Sequence, residues 1–188
     1  MLNRTLSPKI IDAVDFNLAL PPYQKHTLSN GVQVFAIDLG EQDTLMINWV
    51  FFAGNWYEEK NLVAATTNHL LKNGTSRKNA FAINEHFDFY GSYINRHCHN
   101  ETADITLHCL GKHVHHLLPV VSELFTDAIF PQEEINIFKK NMQQRLQVNL
   151  MNTELEKYQA VTAEQILNES RKIFDEKNSN TMYYYSNN

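Results

Sequence analysis

Nine histidines in a chain of 188 residues are the first candidates for chemistry. His97 and His99 are two residues apart in a segment that alternates like a β-strand, so their imidazoles share one face of that strand. His108 belongs to the next predicted strand, and three nitrogen ligands of this kind are enough to hold zinc. A metal-dependent hydrolase built on this non-standard site is one hypothesis. The other is that these histidines, with three more between 113 and 116, are scattered surface or helix-capping residues.

The other side chains that commonly carry chemistry do not form a motif in this sequence. The six glycines are dispersed and make neither G-x-G-x-x-G nor a P-loop, and no serine lies in a G-x-S-x-G elbow. Only two cysteines occur, Cys98 and Cys109, which excludes a disulfide-stapled secreted domain and predicts two buried or strand-borne thiols. The net charge of −5 argues against a nucleic-acid partner. No apolar run is long enough to span a membrane, so no membrane partner is expected.

The elements that would position these residues can be read from turns and hydrophobic periodicity. Asn30-Gly31 between two alternating apolar runs predicts a β-hairpin over 26–37. Three further strands are predicted at 45–52, 92–97 and 103–110, and helices at 61–71, 80–90, 114–129, 133–150 and 154–174. The order β-β-β, α-α, β-β, α-α-α favours an α+β fold with a largely antiparallel sheet.

Five segments of the chain, in order, resemble the insulinase-like (M16) zinc peptidases, which include the mitochondrial processing peptidase subunits. Each segment is weak alone, but the five together cover about two-thirds of the chain at the family's separations. The resemblance implies the α/β domain of that family, with a mixed, largely antiparallel sheet and helices packed on one face. The matching segments are residues 26–34, 49–58, 69–75, 90–95 and 130–134.

The zinc motif of that family is His-x-x-Glu-His, whose two histidines bind the metal while the glutamate activates its water. In register with the segment that starts at His69, residues 65–69 read Ala-Thr-Thr-Asn-His. Ala65 replaces the first ligand with a methyl group, and Asn68 replaces the base with a neutral amide that cannot accept a proton near pH 7. Only His69 remains of the pentad. As a structural residue, it is expected to be buried or to lie on a helix face, bonded to a neighbour.

The third zinc ligand of the family is a glutamate on a later helix. The resemblance places it at Gln144 or Arg145, depending on one position of register, and neither is a carboxylate. Catalytic zinc needs three protein ligands. We therefore expect no catalytic residue, no metal and no cofactor in this chain, since zinc is expected only in active members of the family.

The resemblance also implies partners, because family domains come in catalytic and non-catalytic halves that enclose a peptide chamber. It indicates a catalytically inactive, non-catalytic N-terminal domain that pairs with an active insulinase-type zinc peptidase subunit or with a C-terminal domain of its own chain. In the family, the edge strand matching 92–97 binds extended peptide through its backbone. Asn95 and Arg96 are the candidates for peptide contact, and the alternative is that this edge packs against another domain.

Three regions are expected along the chain. Residues 1–24 are predicted to be a lead-in broken by three prolines, with a short helix near 10–16, and residues 25–175 to be the insulinase-type α+β domain. Residues 176–188 are polar and rich in tyrosine, and are predicted to be a disordered or truncated tail. No signal peptide is recognised, so the cytoplasm is the default expectation for the compartment.

Overall fold

One six-stranded sheet organises the computed structural model, which describes residues 19, 21–38, 43–148, 157–174 and 179–186. The strands lie in the order β1-β2-β6-β3-β5-β4, and every neighbouring pair is antiparallel except β2 and β6, which are parallel. The strands are β1 (Gln24–Thr27), β2 (Gln33–Asp38), β3 (Thr44–Phe51), β4 (Tyr93–Cys98), β5 (Ala103–Leu110) and β6 (Ser179–Ser186).

Five α-helices of eight residues or more accompany the sheet in the described part of the chain. A short helical segment at 157–159 and 3-10 turns at Asn55–Tyr57, Leu71–Asn73 and Gly111–His113 are also present. None of these helices is long and apolar enough to cross a membrane. The helices are α1 (Val63–Leu70), α2 (Ala80–Phe89), α3 (Val114–Thr126), α4 (Gln132–Val148) and α5 (Ala163–Ile173).

The core lies between the sheet and the helices. Alternate residues of β5 are buried, among them Ile105 and Leu107, and they pack with Ile83 of α2 and Leu117 of α3 in one cluster. The intervening β5 residues stay partly exposed on the opposite face. A second cluster joins α1, α4 and α5. The predicted fold class is therefore confirmed: the sheet is mixed and largely antiparallel, with helices packed on one face.

The predicted hairpin is confirmed at the start of the sheet. β1 and β2 are antiparallel with Thr27 opposite Gln33. Gly31 has φ +85°, a left-handed conformation that favours glycine, and the Asn30 side chain accepts a hydrogen bond from the Val32 amide at 3.2 Å. The lead-in, with its predicted helix near 10–16, falls mostly outside the described residues.

The prediction of a disordered tail is wrong for residues 179–186. They form β6 and lie inside the sheet, with Tyr184 opposite both Ala36 of β2 and Ile47 of β3. Met182 and three consecutive tyrosines have high strand propensity, but the run shows no polar–apolar alternation to mark it as a strand. Its hydrogen bonds come from strands more than a hundred residues earlier, which local sequence patterns do not reveal.

The last predicted helix is also shorter than expected. A turn at Ala160 interrupts it, and α5 begins afresh after Thr162. The Thr162 side chain accepts from the Gln165 amide while the Gln165 side chain accepts from the Thr162 amide, which is a complete capping box. The sequence signal for this start was therefore present as Thr-x-x-Gln.

Candidate functional site

The residues of the degraded zinc motif lie on α1, whose start is fixed by an acidic side chain. The two oxygens of Glu58 accept hydrogen bonds from the amides of Leu62 at 2.8 Å and Ala64 at 2.9 Å. A carboxylate at this position satisfies amides that have no partner within the helix and is favoured by the helix dipole. From this start, α1 runs between α5 and the edge strand β4.

Asn68 joins α1 to β4. Only 5% of this residue is exposed, and its Nδ2 donates to the carbonyl oxygen of His97 at 3.2 Å. Ala65, one turn earlier, is half-buried and offers no polar atom in its side chain. At the position that the sequence register aligns with the family's general base, the chain therefore has an amide that donates a structural hydrogen bond.

His69 lies beside an aromatic ring and a cation. Its ring centroid is 4.8 Å from that of Phe138 on α4, and its carbonyl oxygen accepts a hydrogen bond from Nη1 of Arg96. Although much of His69 stays exposed, partial burial, together with the charge of Arg96, lowers the pKa of its imidazole. This ring is therefore neutral at pH 7, and a permanent positive charge lies next to the remaining ligand position.

The positions expected for the third ligand are on α4. Gln144 and Arg145 are both exposed there, six and seven residues after Phe138. At 1.5 Å of rise per residue, they lie about 10 Å further along the helix axis than the ring that packs on His69. Phe138 is thus the α4 side chain at His69, a contact that the sequence reasoning did not identify.

Strand β4 forms one edge of the described sheet, with β5 on its inner side. Asn95 is exposed, and its side chain lies on the face away from the helices. Arg96 points to the opposite face, toward α1, and is half-buried. Burial lowers the pKa of Arg96, but a guanidinium is so weakly acidic that this side chain remains a cation at any ordinary pH.

The three histidines of the alternative site do not converge. The rings of His97 and His99 are 6.2 Å apart, and Nε2 of His99 is 3.4 Å from an Asp104 carboxylate oxygen. His108, however, stacks on Tyr93 at 4.6 Å, and Tyr93 lies four residues, or about 13 Å, along β4 from His97. Within the described ranges, no group of three or more His, Cys, Asp or Glu could hold a metal ion.

A different set of histidines does come together, around Tyr90 at the junction of α2 and α3. The His116 ring stacks on Tyr90 at 5.0 Å and lies 3.9 Å from the ring of His115. Nε2 of His86 is 3.1 Å from the His116 carbonyl oxygen, and His113 approaches Tyr90 at 5.2 Å. Desolvation and the other three imidazoles lower the pKa of His116. His86 was part of no group predicted from the sequence, and it lies 30 residues before His116 along the chain.

The two cysteines are free thiols, as predicted. Cys98 on β4 is half-buried, and Cys109 on β5 is buried. Burial raises the pKa of each to about 11, with the charge of Glu58 adding to the effect at Cys98. Neither thiol is a nucleophile near neutral pH, because the reactive form is the thiolate.

No family model matches the chain. A relative from Rickettsia felis, called an uncharacterized zinc protease, is 26% identical over 110 residues, which is 57% of this chain and 27% of the relative. A probable mitochondrial-processing peptidase subunit beta of Arabidopsis thaliana is 25% identical over 121 residues, 63% of this chain and 23% of the relative. The chain thus spans about a quarter of the length of these curated relatives.

Solved structures share the fold. A peptidase M16 inactive domain from Pseudomonas fluorescens superposes with a TM-score of 0.77 at 18% identity, over 87% of this chain and 46% of that chain. A protease from Helicobacter pylori gives 0.76 at 14% identity, over 90% of this chain and 48% of that chain. The periplasmic protease PqqL from Escherichia coli gives 0.76 at 16% identity, over 89% of this chain and 22% of that chain. The chain therefore has the fold of a peptidase M16 domain, and its resemblance to the insulinase-like zinc peptidases is confirmed.

Proposed function

We propose that this chain is a catalytically inactive insulinase-type domain, a structural or peptide-binding partner half of a zinc peptidase assembly. The observation that carries this proposal is the hydrogen bond from Asn68 to the His97 carbonyl. A glutamate that serves as general base must present an ionised carboxylate to water. Here the same helix position supplies a buried donor to the backbone, a task that a carboxylate cannot perform at neutral pH.

The surroundings of His69 support the absence of a metal. A divalent cation at its imidazole would have to approach the guanidinium of Arg96, and the repulsion would be strong because the region is partly desolvated. Ala65 contributes no ligand, and the α4 side chain at His69 is the ring of Phe138. One imidazole alone does not hold catalytic zinc, which needs three protein ligands.

An exposed apolar surface on α2 supports a role in assembly. Phe81 is 73% exposed and Phe89 is 80% exposed, and they are eight residues apart on the same side of the helix. Large aromatic side chains that face solvent in this way are typical of surfaces buried by a partner. We propose an active insulinase-type zinc peptidase subunit, or a C-terminal domain of the same chain, as that partner.

Peptide binding is the second part of the proposed role. β4 is an edge strand with Asn95 exposed and Arg96 between the sheet and α1. An edge of this kind binds an extended peptide by adding it as a further strand, which requires backbone hydrogen bonds and only loose side-chain rules. This mode of binding does not require the zinc ligands that the chain lacks.

The test of inactivity is metal binding by the full chain. Purified protein should contain zinc far below one equivalent, and near-stoichiometric zinc would overturn the proposal. In the reverse direction, Ala65→His and Asn68→Glu combined with Gln144→Glu or Arg145→Glu should create measurable zinc affinity if the register of the motif is right, which requires α4 to bring the new glutamate to His69 in place of Phe138. The same variant with His69→Gln added is the matched control and should lose that affinity. If the reconstructed variants fold but bind no zinc, the register of the motif is wrong.

A metal-dependent hydrolase that uses the histidines of β4 and β5 is the other candidate. It requires a metal to draw His108 toward His97 and His99, although the structure separates them. Replacing His97 and His99 with glutamine decides between the two functions. This hydrolase predicts that the double variant loses bound metal, whereas the inactive domain predicts no change.

A further inference from the structure

The backbone groups that β4 presents at the sheet edge can be identified from the alternating hydrogen bonds between β3, β5 and β4. The amide of Gly111, just after β5, donates to the carbonyl of Asp43, just before β3, at 3.2 Å. Backbone hydrogen bonds between antiparallel strands alternate from one residue to the next. Odd-numbered residues of β5 therefore bond to β3, and even-numbered residues bond to β4. Tyr93, Asn95 and His97 are opposite even-numbered β5 residues and therefore bond to β5. The amide of His99, which donates to Thr102 at 2.7 Å, continues the same alternation. The outward-facing groups of β4 are those of Ile94, Arg96 and Cys98.

Arg96 therefore faces the edge with its backbone and the helix layer with its side chain. Side chains directly opposite each other on paired strands lie on the same face, with Cβ atoms about 5 Å apart. A peptide added at this edge would place the side chain opposite Arg96 in the space between β4 and α1. Its partner there is a guanidinium whose Nη1 bonds to the His69 carbonyl.

Two cations, Arg96 and Lys72, lie near the C-terminal end of α1. The charge of Arg96 lowers the pKa of both His69 and Lys72, which are three residues apart at the end of α1 and in the following turn. Burial is the larger cause at both groups, and Asp88 of α2 partly offsets it at Lys72. A second observation is an unpaired donor in the Arg96 side chain. Nε of Arg96 is buried and has no hydrogen-bond partner in the described part of the chain, although buried polar groups are nearly always paired.

We propose that β4 selects extended peptides that carry a carboxylate, Asp or Glu, opposite Arg96. This inference rests on the proposed peptide-binding role and adds a substrate class to it. A carboxylate at this position is a planar acceptor that complements the guanidinium fork, and it reduces the repulsion between the charges of Arg96 and Lys72. A neutral side chain of the same shape would leave that repulsion in place.

The test uses two capped pentapeptides, acetyl-Thr-Val-Glu-Val-Thr-amide and its glutamine counterpart, titrated into the full chain. Dissociation constants come from the amide chemical shifts of β4. We expect the glutamate peptide to bind about fivefold more tightly at low salt. This preference should nearly vanish at about 0.5 M NaCl, where charges are screened over a few ångströms. Equal binding of the two peptides by the wild-type chain would overturn the inference.

Substitutions connect that preference with Arg96. Arg96→Gln should bring the two affinities within about twofold while the glutamine peptide still binds. Arg171→Gln, on the exposed surface of α5, is the matched control and should keep the preference. If Arg96→Gln does not fold, Lys72→Gln must reduce the preference instead. If these variants keep the preference for the glutamate peptide, the charge-selection inference alone is refuted. If neither peptide shifts the β4 amides at millimolar concentration, peptide binding itself is refuted.

Discussion

Replacing the amide of Asn68 with a carboxylate tests the structural role of this residue directly. The Nδ2 of Asn68 donates to the His97 carbonyl at 3.2 Å, and 95% of the residue is buried. Asn68→Asp keeps the size and shape of the side chain but converts its donor into an acceptor. At neutral pH, the variant therefore loses a hydrogen bond and places a negative charge near a carbonyl oxygen in a desolvated position.

The magnitude follows from these two costs. A lost hydrogen bond to the backbone costs about 1 kcal/mol, and burying the charge adds about 2 kcal/mol. The free energy of unfolding should therefore fall by about 3 kcal/mol at pH 7.5, which lowers Tm by roughly 6–12 °C in a chain of this length. Burial raises the pKa of the new carboxyl above its unfolded value, so the charge cost disappears below about pH 4 and grows as the pH rises through the folded pKa.

The assay is urea unfolding of the full chain at low and neutral pH, followed by circular dichroism. The matched control is Asn84→Asp, because the Asn84 amide also donates to a backbone carbonyl, that of Ala80 at 2.8 Å, but does so on the exposed surface of α2. The control should cost no more than about 0.5 kcal/mol at either pH. The reasoning is refuted if Asn68→Asp costs no more than the control, or if its cost does not shrink in acid.

Three further substitutions probe other parts of the fold. Gly54→Ala would place its Cβ against the backbone oxygen of Asn100, closer than the two atoms can approach. We therefore expect the free energy of unfolding in urea to fall by about 3 kcal/mol. An unchanged stability would contradict the geometry of this loop. Glu123→Gln removes a buried carboxylate that pairs with Lys78. The hydrogen bond from Lys78 lowers the pKa of Glu123. The stabilisation by this ion pair is therefore present at neutral pH and is lost as the pH falls through the lowered pKa. The variant should have an unfolding free energy about 2 kcal/mol lower at pH 7 and should lose less stability than the wild type as the pH is lowered. An equal loss of stability in acid would refute the role of this ion pair. The pKa of His116 is lowered, so the folded state loses stability as the pH falls below about 6.5. His116→Gln should therefore make Tm fall less steeply with decreasing pH. An equally steep fall of Tm in the variant would exclude this imidazole as the source of the pH dependence.

Local patterns predicted the outer part of the sheet and the first helices well. The Asn30-Gly31 pair marked the hairpin because this turn requires a residue with positive φ, and Gly31 has it. The start of α2 was predicted at Ala80, where the Asn79 side chain accepts from the Ala82 amide. β6 was missed because its place in the sheet depends on pairing with β2 and β3, and no residue near it along the chain signals that pairing.

The sequence assigned a chemistry to each residue of the candidate site but did not predict how these residues are arranged. The sequence identified Ala65 and Asn68 as groups that cannot bind or activate zinc, because that conclusion needs only their chemistry. It did not identify the contact of Phe138 with His69 or the hydrogen bond from Arg96. These pairs are 69 and 27 residues apart along the chain, so no local periodicity connects them.

Two reciprocal hydrogen bonds hold α1 against the edge strand. Asn68 of α1 donates to the backbone of β4, and Arg96 of β4 donates to the backbone of α1 at His69. A metal ion would link a helix to its neighbours through side-chain ligands, whereas here each element uses a side-chain donor and the other element's carbonyl. Because both acceptors are backbone atoms, their position follows from the fold and does not depend on a third residue from α4. This explains how the helix can keep its place beside β4 without Ala65, Gln144 or Arg145 acting as ligands. Asn68 and Arg96 therefore both hold α1 against β4, and the charge of Arg96 also lies at the edge where a peptide strand would pair.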